Sequence, residues 1–300
     1  MQTIENGTPG LVLMRNAGRA VFELIMTLPE IDDNARIVIV AGKGNNGGDG
    51  FVVARHLWNQ GGDVVVILLS QRDDLAGDAA TNAAIAAEMG IPIIEFSGSE
   101  DVQEIESLLS NADIIVDAIL GTGLKSRVRG VFSDVIQIIN ESEAFIVSLD
   151  IPSGLSADHC FPYGPAVSAD LTVTFGLPKP SLLLYPAAQF TGQLITVDIS
   201  IPRTVVDSME LEGEILCPQH FPAFFSPRQR NSHKGTYGHL LIIAGSPGKT
   251  GAAALAAQAA IKAGAGLVTV AVPEPLNPIL ESKLTEVMTL PLPGNHNYLH

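Results

Sequence analysis

Short, nearly all-apolar runs separated by stretches of helical spacing fill the first two thirds of the chain. They are RIVIVA (36–41), DVVVILL (63–69), IPIIE (91–95), ADIIVD (112–117), AFIVSL (144–149), DLTVTF (170–175) and GQLITV (192–197). Their length, β-branched content and lack of alternation predict strands buried on both faces, as in a parallel sheet. Apolar positions recur with helical spacing in an opening helix at 11–28 and in helices at 50–60, 75–89, 101–110 and 131–140. Alternating strands and helices joined by right-handed crossovers predict a three-layer α/β/α, Rossmann-like domain with a mostly parallel sheet. In such sheets ligands bind beyond the carboxyl ends of the strands.

The pattern lapses around 205–235, where prolines and mixed charges replace periodic apolar positions. Alternation then resumes with strands at 239–245, 267–273 and 288–292 and helices at 250–265 and 276–286. The expected organisation is a first domain at 1–210, a linker and start of the second domain at 211–235, and an α/β unit at 236–300. So short an α/β stretch seldom buries a complete core, so the second unit is expected to be incomplete.

Three polar loops fall at predicted strand ends. GKGNNGGDGF (42–51) contains the spacing G-x-G-x-x-G as Gly42, Gly44 and Gly47. After a strand and before a helix, that is the dinucleotide-binding context. Glycine lets backbone approach a pyrophosphate, and a helix N-terminus offers unpaired N–H groups. The acid that should end the second strand is absent, since SQR (70–72) follows and Asp73 comes late. Asp49 would also repel a phosphate placed on it. An ordinary NAD dehydrogenase therefore fits poorly. The other loops are DAILGTGLKSRVRG (117–130) and DIPSG (150–154).

Charge narrows the partners. The chain has 32 acidic and 17 basic residues, a net charge of −15, which opposes general binding to nucleic acid or to an anionic membrane. Lys125, Arg127 and Arg129 concentrate three of those bases in one glycine-containing loop, suited to a pyrophosphate or ribose phosphate. The two cysteines, Cys160 and Cys217, have no zinc spacing and read as free thiols. The opening MQTIENGTPG lacks a charged region followed by an apolar one, and no stretch reads as a membrane span, so the expected location is cytoplasmic. The apolar opening helix (Leu11, Leu13, Met14, Phe22, Ile25) suits either packing on the sheet or a homodimer contact.

Asp117 and Asp150 end two strands, so both carboxylates are expected at one crevice. Asp150 is the candidate general acid/base; an Asx-turn is the alternative. Asn46, Asp117 and Ser153 are hard oxygen donors suited to an alkali or alkaline-earth ion. GSPGKTG (245–251) lacks Walker spacing but remains a glycine loop opening a helix. PSGLS (152–156) is not G-x-S-x-G, so a serine hydrolase is rejected.

TPGLVLMRNAGRA, GKGNNGGDGFVVARHL, DAILGTGLKSRVRG, SLDIPSGLSAD and ADLTVTFGLPKPSLLLYP, in that order, resemble the NAD(P)H-hydrate epimerases across nearly all of residues 1–205. NSHKGTYGHLLIIAGSPGKTGAAALAAQAAIKAGAGLVTVAVP resembles the start of the ADP- or ATP-dependent NAD(P)H-hydrate dehydratases, a ribokinase-like fold. The resemblance implies that Asn45, Asn46, Gly47, Gly48 and Asp49 bind the hydrated dinucleotide. It implies a second substrate loop at Gly121, Thr122, Gly123, Leu124, Lys125, Ser126 and Arg127, and a substrate contact at Asp150. It implies a potassium ion held by Asn46, Asp117 and Ser153. The small-molecule substrates would be hydrated NADH and NADPH, epimerised at C6 of the nicotinamide ring. The second part would imply dehydration coupled to ADP or ATP. A dinucleotide-binding module without turnover remains the alternative.

Overall fold

The computed structural model describes residues 2–5, 7–31, 34–96, 102–209, 211, 213–221 and 227–293. Residue 101, at the start of one expected helix, and residues 212 and 222–226 of the expected linker lie outside the described residues. The chain divides into two compact units, Met1–Leu211 and Glu212–His300.

The first unit opens with α1 (Gln2–Glu5) and α2 (Gly10–Ile25), then alternates: β1 (Arg36–Ala41), α3 (Asn45–Asn59), β2 (Asp63–Leu68), α4 (Gly77–Glu88), β3 (Ile93–Glu95), α5 (Val102–Leu109), β4 (Ile114–Ala118), α6 (Val131–Glu141) and β5 (Phe145–Leu149). It closes with β6 (Leu171–Phe175), α7 (Pro180–Leu183), β7 (Gln193–Val197) and α8 (Arg203–Asp207). The seven strands lie in the order β3-β2-β1-β4-β5-β6-β7, and every pairing is parallel. The expected Rossmann-like sheet is therefore present. Its order reverses between β1 and β4, and such a switch point opens a crevice at the strands' carboxyl ends.

Period-two alternation divides β1 between two cores. Ile37, Ile39 and Ala41 pack with Val21 and Ile25 of α2, Phe51 and Val53 of α3 and Ala83 of α4. Val38 and Val40 face the other way, toward Ile105 and Leu109 of α5 and Val135 and Ile139 of α6. Both layers of helix are thus held by one strand's side chains. Of the opening helix, Met14 and Ile25 are buried, whereas Leu11 is 40% exposed.

The structure corrects the expected helix boundary at the glycine loop. Helix α3 begins at Asn45, not at residue 50, so all of NNGGDG is helical. Low intrinsic propensity is overridden by packing. A Cβ at Gly42 would lie 2.0 Å from the Ile119 carbonyl oxygen, and one at Gly47 would lie 1.9 Å from the Gly42 carbonyl oxygen. These glycines let the turn press against the end of β4. Gly44 caps the helix and faces open space, with nothing within 4 Å of its missing Cβ. Of the three motif glycines, only Gly44 leaves room for a ligand.

The second unit is smaller. β8 (His239–Ile243), α9 (Thr250–Ala263), β9 (Leu267–Pro273), α10 (Asn277–Lys283) and β10 (Met288–Leu292) form a parallel sheet in the order β10-β9-β8. Ala253, Ala257, Val268, Val270 and Leu280 form its core. The expected helix 276–286 is shorter: a Pro-containing 3-10 turn, Glu274–Leu276, precedes it, and it ends at Lys283, where Leu284 turns extended.

The glycine contacts predict unequal tolerance within one motif. Gly47→Ala should lose roughly 3 kcal/mol or more, because a backbone oxygen has no room to give. Gly44→Ala should change stability by less than about 1 kcal/mol. Urea unfolding of both variants checks the contrast; equal losses would contradict it.

Candidate active site

The crevice is built from four segments at the carboxyl edge of the sheet: the start of α3, the loop after β4, the turn after β5 and the segment after β6. Asp117, on β4, is fully buried. One of its oxygens accepts hydrogen bonds from the Ser148 hydroxyl and the Ser153 N–H, both at 2.8 Å. The other accepts from the Ser153 hydroxyl at 2.5 Å and from the Ile119 N–H at 3.3 Å. Burial pushes the Asp117 carboxyl up, and the Ser153, Ser148 and Ile119 donors partly offset that shift. Among the described residues no base pairs with it.

Ser153 links the other two loops. Its hydroxyl accepts from the Leu120 N–H at 2.8 Å and lies 3.2 Å from the Leu120 carbonyl oxygen. Gly121 follows, so close to α3 that a Cβ there would meet Cβ of Asn46 at 3.3 Å. The Asn46 side chain is buried, and its Nδ2 has no hydrogen-bond partner among the described residues. A buried amide left unsatisfied costs about 1–3 kcal/mol and calls for a ligand or solvent partner. Asn46, Asp117 and Ser153 therefore all meet one short stretch, residues 119–121. Among the described residues no cluster of three or more His, Cys, Asp and Glu side chains is placed to hold a metal. An alkali ion does not need one, since amide, hydroxyl and backbone oxygens suffice.

Asp49 lies on the first turns of α3 and is 9% exposed. Burial first, and the charge of Asp150 second, push its carboxyl well above the ordinary value. No hydrogen bond or ion pair to this carboxylate is found among the described residues. Asp150, the residue after β5, has φ +62° without being glycine. One of its oxygens accepts from the Phe175 N–H at 3.1 Å, from the Thr174 hydroxyl at 3.3 Å and from the Lys179 ammonium. Asp49 and Asp150 thus meet across the crevice in opposite surroundings, one without a partner and one salt-bridged.

The loop after β4 is tied at both ends, by Leu124 N–H to the Gly121 carbonyl at 3.3 Å and by Val128 N–H to the Tyr163 carbonyl at 3.2 Å. Between them Thr122, Gly123, Lys125, Ser126 and Arg127 are exposed and Leu124 is partly buried. Lys125, Arg127 and Arg129 form no ion pair among the described residues, so their charge is free for an anion. Asn45 is exposed at the helix start; Gly47 and Gly48 are buried beneath it. His233, in the stretch NSHKGTYG, belongs to the second unit.

Sequence reasoning missed Ser148, Thr174 and Lys179. A signal existed for two of them. Ser148 is a hydroxyl inside the apolar run AFIVSL, and Lys179 is the only Lys or Arg between Arg129 and Arg203.

Comparison with known proteins gives a consistent picture. Residues 10–181 match the family described as YjeF-related protein N-terminus, and residues 240–299 match NAD(P)H-hydrate dehydratase. The bifunctional NAD(P)H-hydrate repair enzyme Nnr of Moorella thermoacetica is 46% identical over 286 residues, covering 95% of this chain and 54% of its own length. The enzyme of the same name from Methanothermobacter thermautotrophicus is 42% identical over 293 residues, covering 97% and 54%. The chain therefore spans about half the length of the curated relatives it matches. The crystal structure of yeast ynu0 aligns with a TM-score of 0.52 at 24% identity, over 64% of this chain and 79% of that one, which supports the fold.

The Asp49 environment predicts a stability effect with a definite sign. A carboxyl whose folded-state value is raised holds its proton more tightly folded than unfolded. Stability therefore falls as pH rises from the ordinary carboxylate value, about 3.9, through the raised one. Asp49→Asn, which removes the buried charge, should melt at higher temperature than the wild type at about pH 8, and the gap should close toward about pH 4. A variant less stable at the higher pH would contradict this account of Asp49.

Proposed function

The chain belongs to the family of YjeF-related proteins through its N-terminal unit, and from that premise we propose that this unit epimerises the R and S forms of hydrated NADH and NADPH at C6 of the nicotinamide ring. The observation that carries the reading is the pairing, at the sheet's switch point, of an unpartnered buried carboxyl, Asp49, with a salt-bridged carboxylate, Asp150. Two carboxyls driven apart by their surroundings are suited to acid and base work in one site.

The chemistry requires little else. In the hydrate, C6 carries a hydroxyl and is bonded to the ring nitrogen. A proton delivered to that hydroxyl makes it leave as water; the C6–O electron pair departs with oxygen. The nitrogen lone pair then forms a C=N bond, giving an iminium. Water adds to the opposite face, its proton passes to a carboxylate, and the electron pair returns to nitrogen. No redox change occurs. Asp150 is the proposed acid/base for both half-reactions. The environment of Asp49 supports a share for it as proton donor to the departing hydroxyl, since burial favours its protonated form.

The loop from Gly121 to Arg127 is proposed to hold the phosphates. Its unpaired bases support that, and Gly44 and Gly123 leave open space for backbone to approach them. Asn46, Asp117 and Ser153 are proposed to hold potassium. The uncompensated charge of Asp117 supports the fit, with the amide oxygen of Asn46 and the Ser153 hydroxyl as neutral oxygen donors. The Leu120 carbonyl offers the Ser153 hydroxyl a second acceptor, which would free an Asp117 oxygen. When bound, such an ion supplies a fixed positive charge beside the ring. For residues 236–300 the dehydratase match supports a part in ADP- or ATP-dependent return of the S hydrate to NADH or NADPH.

Incubating the chain with the R hydrate of NADH and following the S form by chiral chromatography tests this directly. Exchange stimulated by potassium over sodium or choline is expected, and no exchange by the folded chain would overturn the reading in favour of a binding module. Asp150→Asn should slow exchange by about a hundredfold or more while leaving hydrate binding within about threefold. Ser153→Ala should blunt the potassium effect. Adding ADP or ATP to the same incubation separates the two activities, because dehydration alone forms NADH.

A further inference from the structure

Asp150 has features that a structural role does not account for. Its backbone has φ +62°, a left-handed value that few residues other than Gly, Asn and Asp adopt. Such a position is costly and persists only where surroundings over-determine it. If shape alone mattered, glycine or asparagine would serve at lower cost. What asparagine lacks is the charge, and the structure concentrates its contacts on that charge.

Those contacts come from a segment not connected above with any role. Lys179 follows β6 and caps α7 in an extended conformation, next to Pro180. Its ammonium donates to Asp150, to the Thr174 hydroxyl at 2.9 Å and to the Phe175 carbonyl at 3.1 Å. All three of its N–H bonds therefore have acceptors. The two charged side chains are only 17% and 16% exposed, so solvent does little to loosen them. The Asp150 N–H is held by the Val173 carbonyl at 2.8 Å, and its Oδ1 takes every side-chain contact found among the described residues. Among those residues nothing engages Oδ2.

The charges facing Asp150 come from two directions. The segment after β6 contributes Lys179, with the Thr174 hydroxyl and Phe175 N–H beside it; α3 contributes Asp49. There are two carboxyls and one ammonium. Burial already favours the protonated form of Asp49, and the ammonium lies on Asp150 alone.

We propose that Lys179 is a positioning residue of this site: it fixes Asp150 in one orientation and leaves Oδ2 alone to meet the substrate. Lys179 itself touches no reacting atom in this account. The inference rests on the epimerase reading of Asp150 and extends it to a residue outside the two glycine loops. Lys179 also explains why a residue with φ +62° is held as aspartate.

The experiment compares wild type, Lys179→Met and Lys179→Arg in epimer exchange, with kcat and KM taken separately and folding checked by thermal melting. Lys179→Met should lower kcat about a hundredfold with KM within about threefold. Lys179→Arg, which restores the charge, should recover at least about a tenth of the wild-type kcat. A folded Lys179→Met enzyme with more than about half the wild-type kcat would overturn the proposal. If Lys179→Met fails to fold, Thr174→Val decides. It removes one hydroxyl from the clamp and should lower kcat about threefold to tenfold at constant KM; no change would overturn the assignment. If wild type shows no exchange, the epimerase reading falls on its own. A crystal structure of Lys179→Met then decides the role of Lys179. An Asp150 side chain turned from its wild-type rotamer supports it, and an unmoved one overturns it.

Discussion

The carboxylate of Asp117 is the point on which the crevice depends. It sits inside β4, fully buried and without a base beside it among the described residues, and four donors from β5, the turn after β5 and the loop after β4 satisfy it. Each of those donors belongs to a segment that has to stay in place for the site to exist. The hydrogen bonds fix the Ser153 turn, the Ser153 hydroxyl fixes Leu120, and Gly121 then comes to rest against Asn46. Charge burial is costly, so a carboxylate in this position holds its donors tightly. One acid thereby brings three loops to one place.

Steric closeness does for the backbone what Asp117 does for the polar groups. The turn between β1 and α3 touches the end of β4, with room at Gly42 and Gly47 for hydrogen atoms only. Helix α3 consequently starts early and carries Asn46 and Asp49 into the protein, although both are polar. Among the described residues neither the Asn46 amide nitrogen nor the Asp49 carboxyl finds a partner. That leaves two polar groups unsatisfied at a sheet edge already opened by the reversal of strand order. A polar ligand with a hydrogen-bond acceptor for the amide and a polar group for the carboxyl would satisfy both.

The acids of the crevice are not equivalent, and their surroundings separate them. Asp117 is saturated by neutral donors, Asp49 is buried without a partner, and Asp150 is held by an ammonium. This separation suits a reaction that protonates a hydroxyl and deprotonates a water at one carbon. The exposed bases Lys125, Arg127 and Arg129 pair with none of the three acids, which keeps their charge available to a phosphate. Local positive charge thus coexists with a net charge of −15 for the chain.

Much of this was legible in the sequence. Apolar runs of five or six residues, too short for helices and too uniform for a half-exposed sheet, determined a parallel α/β domain. Residues at strand ends share one edge of such a sheet, so patterning alone directed Asp117, Asp150 and the glycine loop to one crevice. Tertiary structure alone decided what each residue meets there. Local propensity argues against a helix through NNGGD, yet packing made one. The glycines suggested backbone approaching a phosphate, yet Gly42 and Gly47 serve contacts within the protein. Lys179, 29 residues from Asp150, became its partner only because β6 lies beside β5 and ends at the same edge. Patterning is a local property and fixes the elements. The environment that gives a carboxyl its role comes from residues distant in the chain, and folding alone brings them together.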